Sequence, residues 1–512
     1  MNTRTRIGVI GLDGLSIELF KNALDKGYMS YLSNIRHNLI LRRLDPLIPL
    51  TFPSWASIMT GVNPCKHGIL DFFKYQLSDN CLRSELYSAL DLRHPRIHEM
   101  LHLSRKNIKT FITDPIPSYP IIPVKNSTIV SFAYFVPKPI SYPKDAFTKY
   151  FGIGAWRAIE KLLNSWSCKN VIDASMKLLD SYIEAAEKII GHNYDLIWFT
   201  INLPDALLHK CPKSFQDVKR LSGVFRKIDR LVRKIGENVD DLIIVSDHGF
   251  TSYKYAVNID KLLYEQGFMK IRSISNSKQT LHHTSISNLL LSFLRSRHSI
   301  TLLPKISLMI RKMLDYALGI RLPKIIPSNE VANVSIDYEK SKAFVPRPLK
   351  ATFYIVLKDE TVKNSVANIL KKYGLSASDL NAIYKCDESL FDIRRLAIIW
   401  NDVIKCFPMQ LSTIYVALNK PLLSKGFFVH HSRYGVFIIR SEYKELINLR
   451  DPVPNTIVAP IVIARLGVPI NSVSDDARYL RKLFSDSETY DYLPEWRITI
   501  AKFKLRSKFS ST

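Results

Sequence analysis

The chain has 512 residues, 46% of them hydrophobic and 23% charged. Disorder is not the default reading of that composition, which leaves room for a large buried core divided over more than one structural unit. A formal net charge of +26 favours anionic partners such as nucleotides, nucleic acid or acidic lipid surfaces, without choosing among them.

The first apolar run, Ile7-Gly8-Val9-Ile10, is too short for a secretory leader, and no stretch reaches the apolar length of a membrane span. The cysteines Cys65, Cys81, Cys168, Cys211, Cys386 and Cys406 are scattered, with no C-x-x-C spacing. This argues against a disulfide framework or a zinc–thiolate site. Together these features predict a cytoplasmic protein without a membrane helix.

Short β-branched runs predict strands at Arg6 to Ile10, Lys109 to Thr113, Asp195 to Ile201 and Asp241 to Ser246. Longer amphipathic stretches between them, Val171 to Gly191 and Ser214 to Gly236, predict helices. Alternation of this kind predicts an α/β fold: a mostly parallel sheet flanked by helices. From about Leu262 the pattern changes. Leu303, Ile306, Ile310, Met313 and Leu314 fall at helical spacing among Arg295, Arg297, Lys305, Arg311 and Lys312. This reads as a basic helical insert, either a cap over a site, a patch for an anionic membrane, or a helix pair with a solvated basic face. The expected division is an α/β catalytic core over 1–261 and 333–489, an insert over 262–332 and a basic tail over 490–512.

In such sheets ligands bind beyond the carboxyl ends of the strands, and the chemically suggestive residues cluster there. Asp13 of Gly11-Leu12-Asp13-Gly14 follows the first strand and could hold a divalent ion. Thr51 precedes Pro53, a residue suited to a first helical turn, so its hydroxyl stands where free N–H groups attract phosphate. Asp205 and His209 are four apart, a spacing that puts both on one helix face. Asp247-His248-Gly249 ends a buried-looking strand, and one of His430 and His431 could close a metal site. Three carboxylates, three imidazoles and a hydroxyl match two adjacent metal ions.

Carried by these motifs, and by Thr60-Gly61, Asn63-Pro64-Cys65-Lys66-His67-Gly68-Ile69 and Gly435, the chain resembles the type I phosphodiesterase / nucleotide pyrophosphatase family of the alkaline phosphatase superfamily. The resemblance implies an alkaline-phosphatase-like fold and a two-metal phosphoesterase. It implies Thr51 as nucleophile, passing through a phospho-threonine intermediate. Asp205, His209 and His431 would hold one ion; Asp13, Asp247 and His248 would hold the other, with Thr51 bound to it. His431 is preferred to His430 because the family ligand stands four residues before the Gly, here Gly435. His67 matches a structural family histidine. The implied metal is zinc, with manganese or magnesium as alternatives. Ser54 stands where nucleotide pyrophosphatases carry a phosphate-binding Asn and is the expected substrate contact.

The expected substrate is a small phosphate ester, a nucleotide or a lipid head group. An anionic membrane surface is a second candidate partner, and nucleic acid is disfavoured. Two other readings remain: a phosphotransferase or phosphomutase of the same superfamily, and a non-catalytic protein binding anionic ligands.

Overall fold

The computed structural model describes residues 5–78, 81–165, 167–273, 334–346, 354–379, 395–399, 404–407, 421–442, 444–484 and 488–509. Contacts divide the chain into two compact units. The first comprises 1–72, 87–251 and 430–512; the second comprises 73–86 and 252–429.

The first unit is built on a nine-stranded sheet. Its strands are β1 (Ile7–Leu12), β2 (Ile40–Asp45), β3 (Thr110–Thr113), β4 (Ser127–Ser131), β5 (Ile140–Tyr142), β6 (Leu196–Ile201), β7 (Asp241–Val245), β8 (Gly435–Arg440) and β9 (Val453–Pro454). They lie in the order β9-β2-β8-β7-β1-β6-β3-β4-β5. Strands β7, β1, β6, β3 and β4 run parallel, and β8 runs antiparallel to both β7 and β2. This is the α/β, alkaline-phosphatase-like sheet expected from the sequence.

Strands β1, β6 and β7 are buried along their whole length. That is the pattern of parallel strands covered on both faces, where apolar runs need no polar alternation. Gly8 and Gly11 of β1 show the two layers. A Cβ on Gly8 would lie 2.3 Å from Ile235 in helix α5 (Ser222–Gly236), and one on Gly11 would lie 2.5 Å from Trp55 in helix α2 (Thr51–Thr60). Residues three apart in a strand face opposite sides, so the two helices cover opposite faces. Helix α3 (Cys168–Ile190) packs beside α5, where Met176 meets Gly223.

The register of the central strands sets the location of the chemistry. Leu12 pairs with Ile201 and Gly11 with Val245, so β1, β6 and β7 end together. Strand β8 begins at that edge, and its Gly435 pairs with Leu44 near the end of β2. The segments after β1, β2, β6 and β7 and the one before β8 therefore meet at one edge of the sheet.

The second unit contains the antiparallel hairpin Phe73–Ser78 with Cys81–Leu86 and a four-stranded antiparallel sheet whose order is Ala343–Phe344, Tyr354–Leu357, Arg395–Ile399, Ser376–Asp379. Most of the basic insert expected over 262–332 lies outside the described residues. Its described margins are a helix at Ile259–Glu265 and a strand at Ile271–Ser273. At the C-terminal end, Leu493–Phe509 is a helix. No described helix is long and apolar enough to cross a membrane.

The cysteine reading needs correction. Cys168 and Cys211 are disulfide-bonded, with Cα atoms 5.4 Å apart. Sequence spacing misses this pair because tertiary packing brings the two residues together: Cys168 opens α3, and Cys211 closes the helix α4 (Asp205–Lys210).

Candidate active site

Helix α2 starts at Thr51 because Leu50 is extended and Pro53 sits in the first turn, where a missing N–H leaves no bond unmade. Ser54 makes the first helical bond back to Leu50. All ten residues of the helix are buried. Such a segment is fixed by its surroundings, so Thr51 is held in place rather than presented on a mobile loop.

Asp13 and Asp205 come together through backbone pairing. The Asp13 amide donates to Ile201 O at 3.0 Å, and the Asp205 amide donates to Asp13 O at 2.9 Å. Asp247 joins them by accepting from the Gly14 amide at 3.3 Å. Ser246 fastens the same two turns: its hydroxyl accepts from the Leu15 amide and donates to His248 O. Gly249 has no room for a side chain, since a Cβ there would stand 2.2 Å from Tyr434 O. That close approach brings the Asp-His-Gly turn against the segment leading from His431 into β8.

Two adjoining groups result. In the first, His209 Nε2 and His431 Nε2 lie 3.3 and 3.1 Å from Asp205 Oδ1 and 2.9 Å from each other. In the second, His248 Nε2 lies 3.4 Å from each of Asp13 Oδ1, Asp247 Oδ2 and Thr51 Oγ1. Asp13 Oδ1, Asp205 Oδ1 and Asp247 Oδ2 are buried and accept no hydrogen bond among the described residues.

The protons of two of the imidazoles point away from this space. His248 Nδ1 contacts Gly249 O at 3.1 Å, and His431 Nδ1 contacts Pro49 O at 2.9 Å. A carbonyl can only accept, so each Nδ1 carries the proton and each Nε2 presents a lone pair. Converging lone pairs and bare carboxylate oxygens repel one another unless a cation lies between them. The donor set, three imidazole nitrogens and three carboxylates, fits divalent ions.

The electrostatics agree. Burial, and then the charge of Asp205, pushes Asp13 well above the usual carboxylate range. Burial, and then Asp13 and Asp205, does the same to Asp247. For Asp205 burial also pulls upward, but His209 and His431, whenever they carry a proton toward it, outweigh burial and hold the carboxyl well below that range. Burial keeps His248 well below the ordinary imidazole value.

All seven residues expected around the metals are therefore neighbours: Asp13, Thr51, Asp205, His209, Asp247, His248 and His431. Ser54 requires correction. Its hydroxyl is buried, donates to Asp247 O at 2.6 Å and accepts from Asn455 Nδ2 at 3.1 Å. A hydroxyl has one proton, and here that proton supports the Asp247 turn instead of a substrate. His430 Nδ1 accepts from the His431 amide at 2.8 Å. His67 is fully buried, with Nδ1 accepting from the Ile69 amide and Nε2 3.0 Å from Ser57 Oγ, which is a structural role.

Sequence reasoning missed two neighbours of Asp13. Trp55 Nε1 and Tyr134 Oη both donate to Asp13 Oδ2, at 3.3 and 2.7 Å. Trp55 had a readable signal, because it lies four residues after Thr51 and shares its helix face. Tyr134 had none.

A model of the family described as type I phosphodiesterase / nucleotide pyrophosphatase matches residues 8–300. No protein with a curated description matches the chain in sequence. Among solved structures, the phosphonoacetate hydrolase of Sinorhizobium meliloti 1021 in complex with phosphonoformate is similar at 14% identity and a TM-score of 0.55, over 90% of this chain and 96% of that one. Its complex with phosphonoacetate gives 14% and 0.53 over the same shares. Murine ectonucleotide pyrophosphatase / phosphodiesterase 5 in complex with AMP gives 13% and 0.46, over 91% and 96%.

Proposed function

The chain belongs to the type I phosphodiesterase / nucleotide pyrophosphatase family, and from that premise we propose that it is a two-metal phosphodiesterase with Thr51 as nucleophile. One observation carries the proposal: two groups of imidazole nitrogens and buried carboxylate oxygens adjoin each other beside the Thr51 hydroxyl, with the Nε2 atoms of His248 and His431 presented as lone pairs.

Asp205, His209 and His431 would hold one ion, and Asp13, Asp247, His248 and Thr51 the other. The three imidazoles favour zinc over magnesium, with manganese the next candidate. When bound, such ions supply positive charge that acidifies a hydroxyl and neutralises phosphoryl oxygens. Thr51 Oγ1 gives its proton to water and attacks phosphorus; the new P–O bond forms as the bond to the ester oxygen breaks, and that oxygen leaves and takes up a proton from water. Water then attacks the phospho-threonine, breaks that P–O bond and restores the hydroxyl. The helix α2 N-terminus at Thr51 would lower the charge of phosphoryl oxygens bound beside it. His248 and His431 keep their Nδ1 protons on backbone carbonyls throughout, so their Nε2 atoms stay available.

The substrate class is a small phosphate diester, a nucleotide or a lipid head group. The compartment follows from the redox state of Cys168 and Cys211. A disulfide persists in oxidising compartments and is reduced in the cytoplasm, so thiol titration of protein from its native source separates the two.

The test is hydrolysis of bis-p-nitrophenyl phosphate and p-nitrophenyl phosphate after chelation, and again after adding zinc or manganese. The proposal expects turnover that returns with metal and is faster on the diester. A folded, metal-loaded protein that turns over neither ester would instead favour a transferase needing a specific acceptor, or a binding protein.

A further inference from the structure

Asp13 is held from one side only. Its Oδ2 receives both the Tyr134 hydroxyl at 2.7 Å and the Trp55 indole N–H at 3.3 Å, while its Oδ1 accepts no hydrogen bond and lies 3.4 Å from His248 Nε2. Both donors are buried. Trp55 reaches this position because Gly11 leaves its ring room against β1.

Tyr134 is aimed by a second carboxylate, Asp114, which is not one of the expected ligands. Asp114 follows β3 at a positive φ of 43°, is fully buried, and accepts from the Phe132 and Ala133 amides at 3.0 and 3.1 Å. Its own amide donates to Val130 O at 2.8 Å. These three bonds fix the turn after β4 and, with it, the direction of the next residue, Tyr134.

We propose that Tyr134, aimed by Asp114 and seconded by Trp55, is a positioning residue that fixes Asp13 as a ligand through Oδ1 alone. This rests on the reading of Asp13 as a metal ligand. Two donors on Oδ2 draw its charge away from the ion and stop the carboxyl from rotating to offer both oxygens. Partners of this kind orient a ligand and tune its basicity, and their loss weakens metal affinity by roughly 10–100-fold.

The test is calorimetric titration of chelated, full-length protein with zinc, without substrate. Tyr134→Phe removes only the hydroxyl and keeps the ring. One of the two zinc sites is expected to weaken about tenfold or more, with the site at Asp205, His209 and His431 unchanged. In cobalt-loaded protein the visible absorption should also weaken, because an Asp13 free to bind through both oxygens raises the coordination number. Asp114→Ala should reproduce both effects by releasing the turn, and Asp114→Asn, which keeps the accepting oxygen, should restore them. Wild-type zinc affinity and an unchanged cobalt spectrum in Tyr134→Phe would overturn the positioning role and leave the metal reading standing. Wild-type protein that binds no zinc, or binding that Asp13→Asn does not alter, would overturn both.

Discussion

His248 lies nearly flat against His431, with ring centroids 3.8 Å apart and planes inclined by 21°. This contact joins the two ligand groups. Protonating either ring would set a cation against its neighbour, and burial followed by the His431 contribution holds His248 well below its ordinary value. His248 thus stays neutral over the range in which an imidazole can bind a metal. Since each ring is also tied to a backbone carbonyl, movement of one ring shifts both groups.

Thr51→Ala should abolish turnover while leaving metal content near normal. Thr51 contributes one contact to the second group, 3.4 Å from His248 Nε2, and the other six residues remain. Loss of an attacking group removes an interaction made only along the reaction path, so kcat should fall by at least about 10³-fold with little change in zinc affinity. Steady-state kinetics and metal analysis on the same sample check this. Wild-type turnover in the variant would exclude Thr51 as nucleophile.

Metal binding should release protons at neutral pH. The carboxyls of Asp13 and Asp247 are raised well above the usual range in the metal-free site, by burial first and by neighbouring carboxylates second. A raised pKa means the free site holds protons that the ions must displace, so affinity should increase with pH. Asp205, held low by His209 and His431, contributes no proton to this release. Zinc titrations in buffers of different ionisation heat measure the number directly. A value of zero at pH 7 would show that the carboxylates are already ionised in the free protein.

Asp114 should make the protein less stable as the pH rises. Burial pushes its carboxyl up to about 7, against about 3.9 in an unfolded chain. Between those values the folded state holds a proton that the unfolded chain has lost. The sign is therefore opposite to that of a salt-bridged carboxylate: stability falls with pH across this window, by roughly 4 kcal/mol in all. Asp114→Asn cannot titrate, yet keeps an oxygen for the Phe132 and Ala133 amides. Its NH₂ would stand where Oδ2 now has no partner, which costs about 1–3 kcal/mol at every pH. The discriminating quantity is the difference between urea-denaturation stabilities at pH 5 and pH 8. On going from pH 5 to pH 8 the wild type should lose more stability than the variant; equal differences would mean that Asp114 does not titrate in this window.

The sheet and the seven ligand-type residues were legible because each signal is local. Buried strands show as β-branched runs, the Asp205 and His209 pair shows as helical spacing, and Asp247-His248-Gly249 shows as a strand end with a glycine. What was not legible depends on direction or on distant contact. Ser54 displays a hydroxyl in the sequence, but only the fold reveals that it points to Asp247 O rather than outward. Tyr134 lies 121 residues from the carboxylate it supports, and Cys168 lies 43 from Cys211. No periodicity connects such pairs; the sheet order does.

Gly11 and Gly8 offer a matched comparison of stability with site geometry. A methyl group at either would meet a neighbour well inside contact distance, Trp55 at 2.5 Å or Ile235 at 2.3 Å. Overpacking of this kind costs about 1–3 kcal/mol, so Gly11→Ala and Gly8→Ala should be destabilised to a similar degree. Their consequences for the site should differ. The clash with Ile235 falls on the face opposite Trp55, so relieving it leaves the Trp55 contact with Asp13 in place. The Trp55 ring is rigid, and any shift away from β1 draws its indole N–H from Asp13 Oδ2. Gly11→Ala should therefore lose zinc affinity at one site, whereas Gly8→Ala should bind both ions normally at a temperature where it remains folded. Equal zinc affinity in the two variants would show that the Trp55 contact serves packing alone.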